Sequence, residues 1–150
     1  MGIRKTFTEM NSEEFGTIKV SILRLYSADD ELVNIELCPA LMTEDGNVFW
    51  DRYDSLRIYR ADYEHFMIPV FDKIFPVTDP DPKGWGVQEY FDRCSLNWFG
   101  REDWLKISQM LRSKFGNSDN EDERTFCDEV AGYIESTADI STIFCIDGNL

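Results

Sequence analysis

The sequence lacks the motifs by which most enzymes and metalloproteins are recognised. Its 150 residues include a single histidine, His65, and no Cys-x-x-Cys pair, so the closely spaced ligands of a zinc site are missing. It has no Gly-x-Ser-x-Gly elbow, no His-Glu-x-x-His helix and no glycine-rich phosphate loop. These absences predict no metal and no cofactor, and they favour a binding protein over an enzyme.

Long apolar runs and basic residues are also scarce. No apolar run reaches the length of a signal sequence or a membrane span, which predicts no membrane association. There are 15 Lys and Arg against 29 Asp and Glu, a net charge of −14. Such a chain repels phosphate and attracts cations, so we expect no nucleic-acid binding and a basic protein partner. Four widely spaced cysteines favour free thiols in a reducing, cytoplasmic setting.

The acidic charge is concentrated toward the end of the sequence. Residues 116–150 hold nine acidic residues and one basic residue, which accounts for −8 of the −14. A charge run is usually a solvated face, but it can also be a docking surface for a cationic protein. Asp128 and Glu135 lie on the outer face of a predicted helix, and we expect them to steer such a partner.

The spacing of apolar residues predicts an α+β fold and a single domain over residues 1–150. Residues 1–16 are mixed and polar, and no strand is expected there. Alternation of apolar and polar residues predicts an antiparallel N-terminal meander, with a hairpin between its first two strands and strands at residues 17–26, 32–38, 48–50 and 55–59. Asp45-Gly46 marks a hairpin turn. A closing C-terminal strand is predicted at residues 142–146, although the spacing of Ile140, Ile143 and Phe144 also allows a helical turn.

Three or four helices are predicted to pack on this sheet. The helical stripe after Ala61 is the clearest, with Asp62 as its N-cap and a kink or break at Pro69. A capping-box pattern, either Ser118-x-x-Glu121 or Asn120-x-x-Glu123, begins the last helix. Helical spacing places these elements near residues 61–74, 87–94, 101–115 and 121–135. The proline-rich residues 76–84 are predicted to form a loop.

The aromatic stretch at residues 85–115 is expected to organise the fold. Its rings, including Trp85 and Trp104, either fill the contact between helices and sheet or anchor a partner. Trp98 and Phe99 are adjacent and cannot share one helical face. At least one of them is therefore expected to face outward and to contribute to partner binding.

Three functions remain open on the sequence alone. The leading one is a small acidic intracellular protein that binds another protein. In size, acidity and class the chain resembles the bacterial immunity proteins, and this resemblance implies inhibition of a basic toxin or effector by covering it. One alternative is a small hydrolase that uses two carboxylates near aromatic rings, drawn from Asp51, Asp54, Glu64 and Asp92. The other is a regulatory or adaptor domain. A catalytic role for His65 is less favoured than a surface position.

Overall fold

A mixed sheet of seven strands with three helices forms the fold. The computed structural model describes residues 2–13, 16–50, 52–77 and 88–150. The α+β class, the N-terminal strands and the closing C-terminal strand are confirmed. The strands are β1 (Arg4–Ser12), β2 (Gly16–Arg24), β3 (Asn34–Met42), β4 (Val48–Phe49), β5 (Ser55–Tyr59), β6 (Leu96–Gly100) and β7 (Ile143–Gly148).

The strands do not follow the order of a simple meander. They lie in the order β1-β2-β5-β3-β7-β6, and β4 pairs with the far end of β3. The neighbouring pairs are antiparallel except β2 and β5, which are parallel. The predicted hairpin between residues 17–26 and 32–38 is wrong, because β5 lies between these two strands. After the predicted turn at Asp45-Gly46 the chain runs back along β3. β5 then pairs with the edge of β3 to which β2 would have to bind in the predicted hairpin.

β1 was not predicted from the sequence. Nine consecutive residue pairs join it to β2, from Arg4 opposite Arg24 to Ser12 opposite Gly16. Gly16 has φ +83, a value that glycine adopts without steric cost as β2 begins. Every side chain of β1 from residue 5 to residue 11 is exposed. Neither face of the strand is buried, so its sequence carries no apolar alternation.

Three helices pack against the sheet. They are α1 (residues 60–74), α2 (Arg101–Phe115) and α3 (Glu121–Thr137). Within α1, a π-helical turn at Tyr63–Met67 separates α-helical Arg60–Asp62 from Ile68–Ile74. Pro69 has no N–H to donate to the preceding turn, and the predicted break takes the form of this π-helical turn just before it.

The fourth predicted helix does not form in the part of its range that the structure describes. Residues 88–95 are irregular, apart from a single bridge between Gln88 and Val77. Residues 78–87 lie outside the described residues, and with them Trp85 and most of the predicted proline-rich loop.

The main core lies between the helices and one face of the sheet. Trp104 of α2 is fully buried, stacks on Phe144 of β7 with ring centroids 4.9 Å apart, and donates its Nε1–H to the Ile134 carbonyl at 3.2 Å. The predicted apolar stripe of α1 is buried in the same core. Because side chains alternate along a strand, the residues between these core positions face the other side of the sheet.

Asp62 is not the N-cap that the sequence predicted. It is fully buried, and its carboxylate accepts backbone N–H groups from Leu25, Tyr26 and Ser27 at 3.0, 2.7 and 3.2 Å. Its own backbone N–H donates to Ser27 Oγ at 3.1 Å. These three residues follow the end of β2, where backbone donors need other acceptors. Asp62 therefore connects α1 to the end of β2.

Candidate functional site on the open face

Strand β6 places the two predicted aromatic anchors on opposite faces of the sheet. Phe99 is fully buried on the helix side, with Phe71 and Trp104 as ring neighbours. Its predicted role as a partner anchor is therefore wrong. Trp98 faces the other side and is half-buried, and its backbone N–H donates to Gln88 Oε1 at 3.1 Å. Trp98 and Phe99 were predicted to point in different directions because neighbours on a helix do not share a face. They do so because successive side chains of a strand alternate between the two faces of the sheet.

The two acidic residues predicted to steer a partner share one arginine. Arg112 of α2 donates from Nε and Nη2 to Glu135 at 2.8 Å each, and from Nη1 to Asp128 at 3.0 Å. The hydrogen bond from Arg112 lowers the pKa of Glu135. Asp128 and Glu135 thus join α3 to α2 in the helix layer, on the opposite side of the sheet from Trp98, and Arg112 offsets one of their two charges.

A row of side chains crosses the face of the sheet that is turned away from the helices, which we call the open face. The strand register places Arg57 of β5 opposite Glu36 of β3, and Glu36 opposite Asp147 of β7. Glu36 lies between two residues of the helix-side core, so it points to the open face. Paired residues of adjacent strands share a face, and Arg57 and Asp147 therefore point the same way.

Arg57 neutralises only one of the two carboxylates in this row. Its Nη2 and Nε lie 2.8 and 3.2 Å from Glu36 Oε1. Asp147 is half-buried and has no hydrogen-bonding or ion-pair partner in the described part of the chain. Burial, and then the charge of Glu36, raise the pKa of Asp147. The row therefore holds two acids and one base, and a further cation would be attracted to it.

An apolar cluster supports Trp98 beside this row. Trp98 lies opposite Cys145 in the strand register and packs, with Leu96, on a buried group formed by Cys38, Ala40, Ile143 and Cys145. Burial raises the pKa of the Cys38 and Cys145 thiols, so both stay protonated at neutral pH. We call Glu36, Arg57, Asp147 and Trp98 the open-face site.

His65 belongs to a structural contact between helices. Its Nε2 lies 3.1 Å from Glu123 Oε2, and its ring meets Tyr26 and Phe66 edge-on. The Tyr26 hydroxyl donates to the same Glu123 oxygen, and this hydrogen bond raises the pKa of Tyr26 to about 12. No serine, threonine or cysteine side chain is hydrogen-bonded to His65 among the residues described. The contact joins α1, α3 and the segment after β2.

The carboxylates predicted for a hydrolase are held in separate local structures. Asp54 accepts the Lys19 backbone N–H at 2.8 Å, Asp92 accepts the Cys94 N–H at 2.8 Å, and Glu64 pairs with Arg60 and Arg93 at 3.0 Å each. Asp51 lies outside the described residues. The predicted set is therefore not a catalytic pair in the residues that the structure places.

Two grooves lie in the helix layer, away from the open face. One, of about 310 Å³, runs between α3 and the β1–β2 hairpin, with Lys5, Phe7, Lys19, Leu56 and Tyr133 in its walls. The other, of about 400 Å³, separates α1 from α2. Neither groove is lined by the predicted carboxylates. Within the residues described, no three His, Cys, Asp or Glu side chains gather as metal ligands, and no helix has the length and apolarity to cross a membrane.

We compared the chain with protein-family models, with curated proteins and with solved structures. None matches. The function must therefore be argued from the residues and geometry above.

Sequence reasoning missed three members of the open-face site. Glu36 lies at a polar position of the predicted strand 32–38 and Asp147 directly follows the predicted strand 142–146, so in the sequence both resemble ordinary solvated acids. Only the pairing of β3 with β7 makes them neighbours, and only the pairing of β3 with β5 adds Arg57.

Proposed function

We propose that the protein binds a basic protein partner through the open-face site. The observation that carries the proposal is Asp147, a half-buried carboxylate that faces Glu36 and has no cation of its own among the described residues. Two carboxylates with one guanidinium leave a charge that an arginine or lysine from a partner would neutralise. Such a charge-assisted contact is stronger than a neutral hydrogen bond.

Trp98 is the proposed anchor of this contact. It lies on the strand next to Asp147, two pairs along the register and so on the same face, and its ring rests on a buried apolar cluster. An arginine that pairs with Asp147 would lie within reach of the Trp98 ring, and stacking of guanidinium on an aromatic ring adds attraction. Tryptophan and arginine are also the residues that most commonly dominate binding energy at interfaces.

The overall charge would act before contact. A net charge of −14 accelerates the approach of a basic partner and disfavours nucleic acid. Asp128 and Glu135 stay predicted contributors to this steering, at reduced strength because Arg112 pairs with both. The partner that fits these properties is a basic toxin or effector that the protein inhibits in the cytoplasm, where its free thiols would stay reduced.

A titration with N-acetyl-arginine amide, followed by ¹⁵N NMR, tests the proposed site. In wild-type protein we expect saturable shifts of the Trp98 indole N–H and of the backbone amides near Asp147. Asp147→Asn should weaken this binding about tenfold or more, because it removes the unpaired charge. Glu121→Gln, which removes one exposed charge from the first turn of α3, is the matched control and should leave the binding unchanged.

Equal weakening by Asp147→Asn and Glu121→Gln would show that the probe senses only the general negative field. Shifts confined to α3, or no saturable shift at all, would also count against the open-face site. Trp98→Ala extends the test, since it keeps every charge and is expected to weaken the binding of the arginine probe more than that of N-acetyl-lysine amide.

A second candidate function, acid–base hydrolysis, is favoured by the same pair of carboxylates. Glu36 pairs with Arg57 while the pKa of Asp147 is raised, and two neighbouring acids in different environments can serve as base and acid. Turnover of generic ester or glycoside substrates that is abolished in both Glu36→Gln and Asp147→Asn would support this alternative over the binding function.

A further inference from the structure

The outer edge of β1 is free for pairing. β1 hydrogen-bonds to β2 along one edge, and no strand of the described chain pairs with the other. An unpaired edge presents a row of backbone N–H and C=O groups that can accept another strand. β1 has nine residues in unbroken register, with neither a proline nor a bulge to block such pairing. At the opposite edge of the sheet, by contrast, the Gln88 side chain already binds the Trp98 N–H.

The side chains of β1 are also uncovered. Phe7 is 61% exposed and Met10 is 42% exposed. Phe7 has the highest exposure of any large apolar side chain on a described strand. An aromatic side chain at the centre of a bare edge strand is typical of an interaction surface.

The sequence of β1 is complementary to itself in one antiparallel register. When Phe7 lies opposite Phe7 of a second copy, Lys5 faces the partner's Glu9 and Glu9 faces the partner's Lys5. Lys5, Phe7 and Glu9 share the helix-side face, so these contacts form one continuous strip. On the other face, Thr6 lies opposite Thr8 of the partner subunit, and the twofold symmetry produces this contact twice.

Charge selects this register over its neighbours. A shift by two residues places Phe7 opposite either Glu9 or Lys5 and removes both ion pairs. The local charge also favours contact at this edge, since residues 4–24 carry four basic and three acidic residues, a net +1 in a chain of −14. Two copies that meet at β1 therefore bring together strands without net negative charge, and Glu129 of α3 is the neighbouring acid, 2.9 Å from Lys5.

We propose that the protein forms a twofold-symmetric dimer in which the β1 strands of two copies pair antiparallel, centred on Phe7. The two sheets join into one continuous sheet, with both helix layers on the same side, because residues that face each other point to the same face. The Nζ of Lys5, which lies 2.9 Å from Glu129 within its own chain, then lies between two carboxylates. The open-face site is on β3, β5, β7 and β6, so the dimer does not depend on the proposed function.

Charge reversal at two positions tests the dimer by sedimentation equilibrium. Lys5→Glu places glutamate against the partner's Glu9, and Glu9→Lys places lysine against the partner's Lys5. Each variant alone is expected to raise the dimer dissociation constant about tenfold or more, because two like-charge contacts replace two ion pairs. An equimolar mixture of the two variants restores both opposite-charge contacts in a heterodimer, and its dissociation constant should return to within about threefold of the wild-type value.

Recovery on mixing separates this interface from damage to the fold. Within one chain Lys5 and Glu9 are four strand positions apart, roughly 13 Å, so they do not form a pair there. Lys73→Glu is the matched control: it reverses an exposed charge on α1, away from β1, and the dimer should persist. A wild-type protein that stays monomeric up to millimolar concentration, or a mixture no better associated than the single variants, would overturn the proposal. Neither outcome bears on the arginine-probe test.

Discussion

The Asp62→Ala variant is expected to unfold at a much lower urea concentration than the wild-type protein. The substitution removes the acceptor of three backbone N–H groups that follow the end of β2. The donors at Leu25 and Ser27 are buried, whereas the donor at Tyr26 is partly exposed and can bind water in the variant. The loss therefore comes mainly from two buried groups left without acceptors.

The size of the effect follows from this count. A buried N–H without an acceptor costs about 1–3 kcal/mol, so two of them cost about 2–6 kcal/mol. Domains are stable by about 5–15 kcal/mol, so the loss is a large share of the total. With a urea dependence of about 2 kcal/mol per molar, a loss near 4 kcal/mol would lower the unfolding midpoint by about 2 M.

Urea unfolding followed by circular dichroism provides the measurement. Asp72→Ala is the matched control, because Asp72 is an exposed acid on the same helix, and its midpoint should not change measurably. Asp62→Asn should fall between the two, since its amide keeps one acceptor oxygen but turns an NH₂ group toward the donors. A midpoint for Asp62→Ala within about 0.3 M of the wild-type value would refute the reasoning, because so small a change is below the cost of even one buried donor.

Three further outcomes are expected. Trp104→Phe should lower stability by about 1–3 kcal/mol in urea, because the buried Nε1–H bonds are lost together with part of the ring volume. The raised pKa of Asp147 means that its ionisation opposes folding, so its unfavourable effect appears as pH rises above the ordinary value of about 4. Asp147→Asn should therefore raise the thermal midpoint at pH 7 and match wild type near pH 3, as checked by calorimetry at both pH values. Arg112→Met should cost less than about 1 kcal/mol because its ion pairs are exposed. The lowered pKa of Glu135 means that this contribution is present above about pH 4.3 and disappears as pH falls, which the difference in thermal midpoint between pH 7 and pH 3 would show.

Local periodicity accounts for the parts of the fold that could be predicted from the sequence. The apolar stripe of α1 and the cap at Asn120, whose side chain accepts the Glu123 N–H at 3.1 Å, depend on residues within a few positions of one another. The hairpin turn at Asp45-Gly46 is equally local, and Gly46 has φ +83 as such a turn requires. Local patterns of this kind can be recognised in the sequence without knowledge of the tertiary structure.

Strand order and the open-face site could not be predicted because both depend on pairing between distant segments. Nothing in the sequence near β2 indicates that β5 is its neighbour, and β1 gave no alternating signal since both of its faces are exposed. Glu36 and Asp147 come from opposite parts of the chain and become a pair only through register. Trp98 could be predicted as a candidate anchor because it is a large aromatic residue next to another one. Its neighbours on the sheet could not be predicted, because they come from strands distant in the sequence.

The position of β7 also has a consequence for how the protein is made. β7 lies between β3 and β6 and is the only strand paired with β6 in the described chain, yet it follows all the other described strands in the sequence. Until residues 143–148 have been synthesised, β3 and β6 both present unpaired edges, and the carbonyl that receives the Trp104 indole belongs to a helix completed only shortly before. A nascent chain at that stage would be vulnerable to aggregation and to chaperone capture. Completion of the sheet is thus expected only once β7 has been translated.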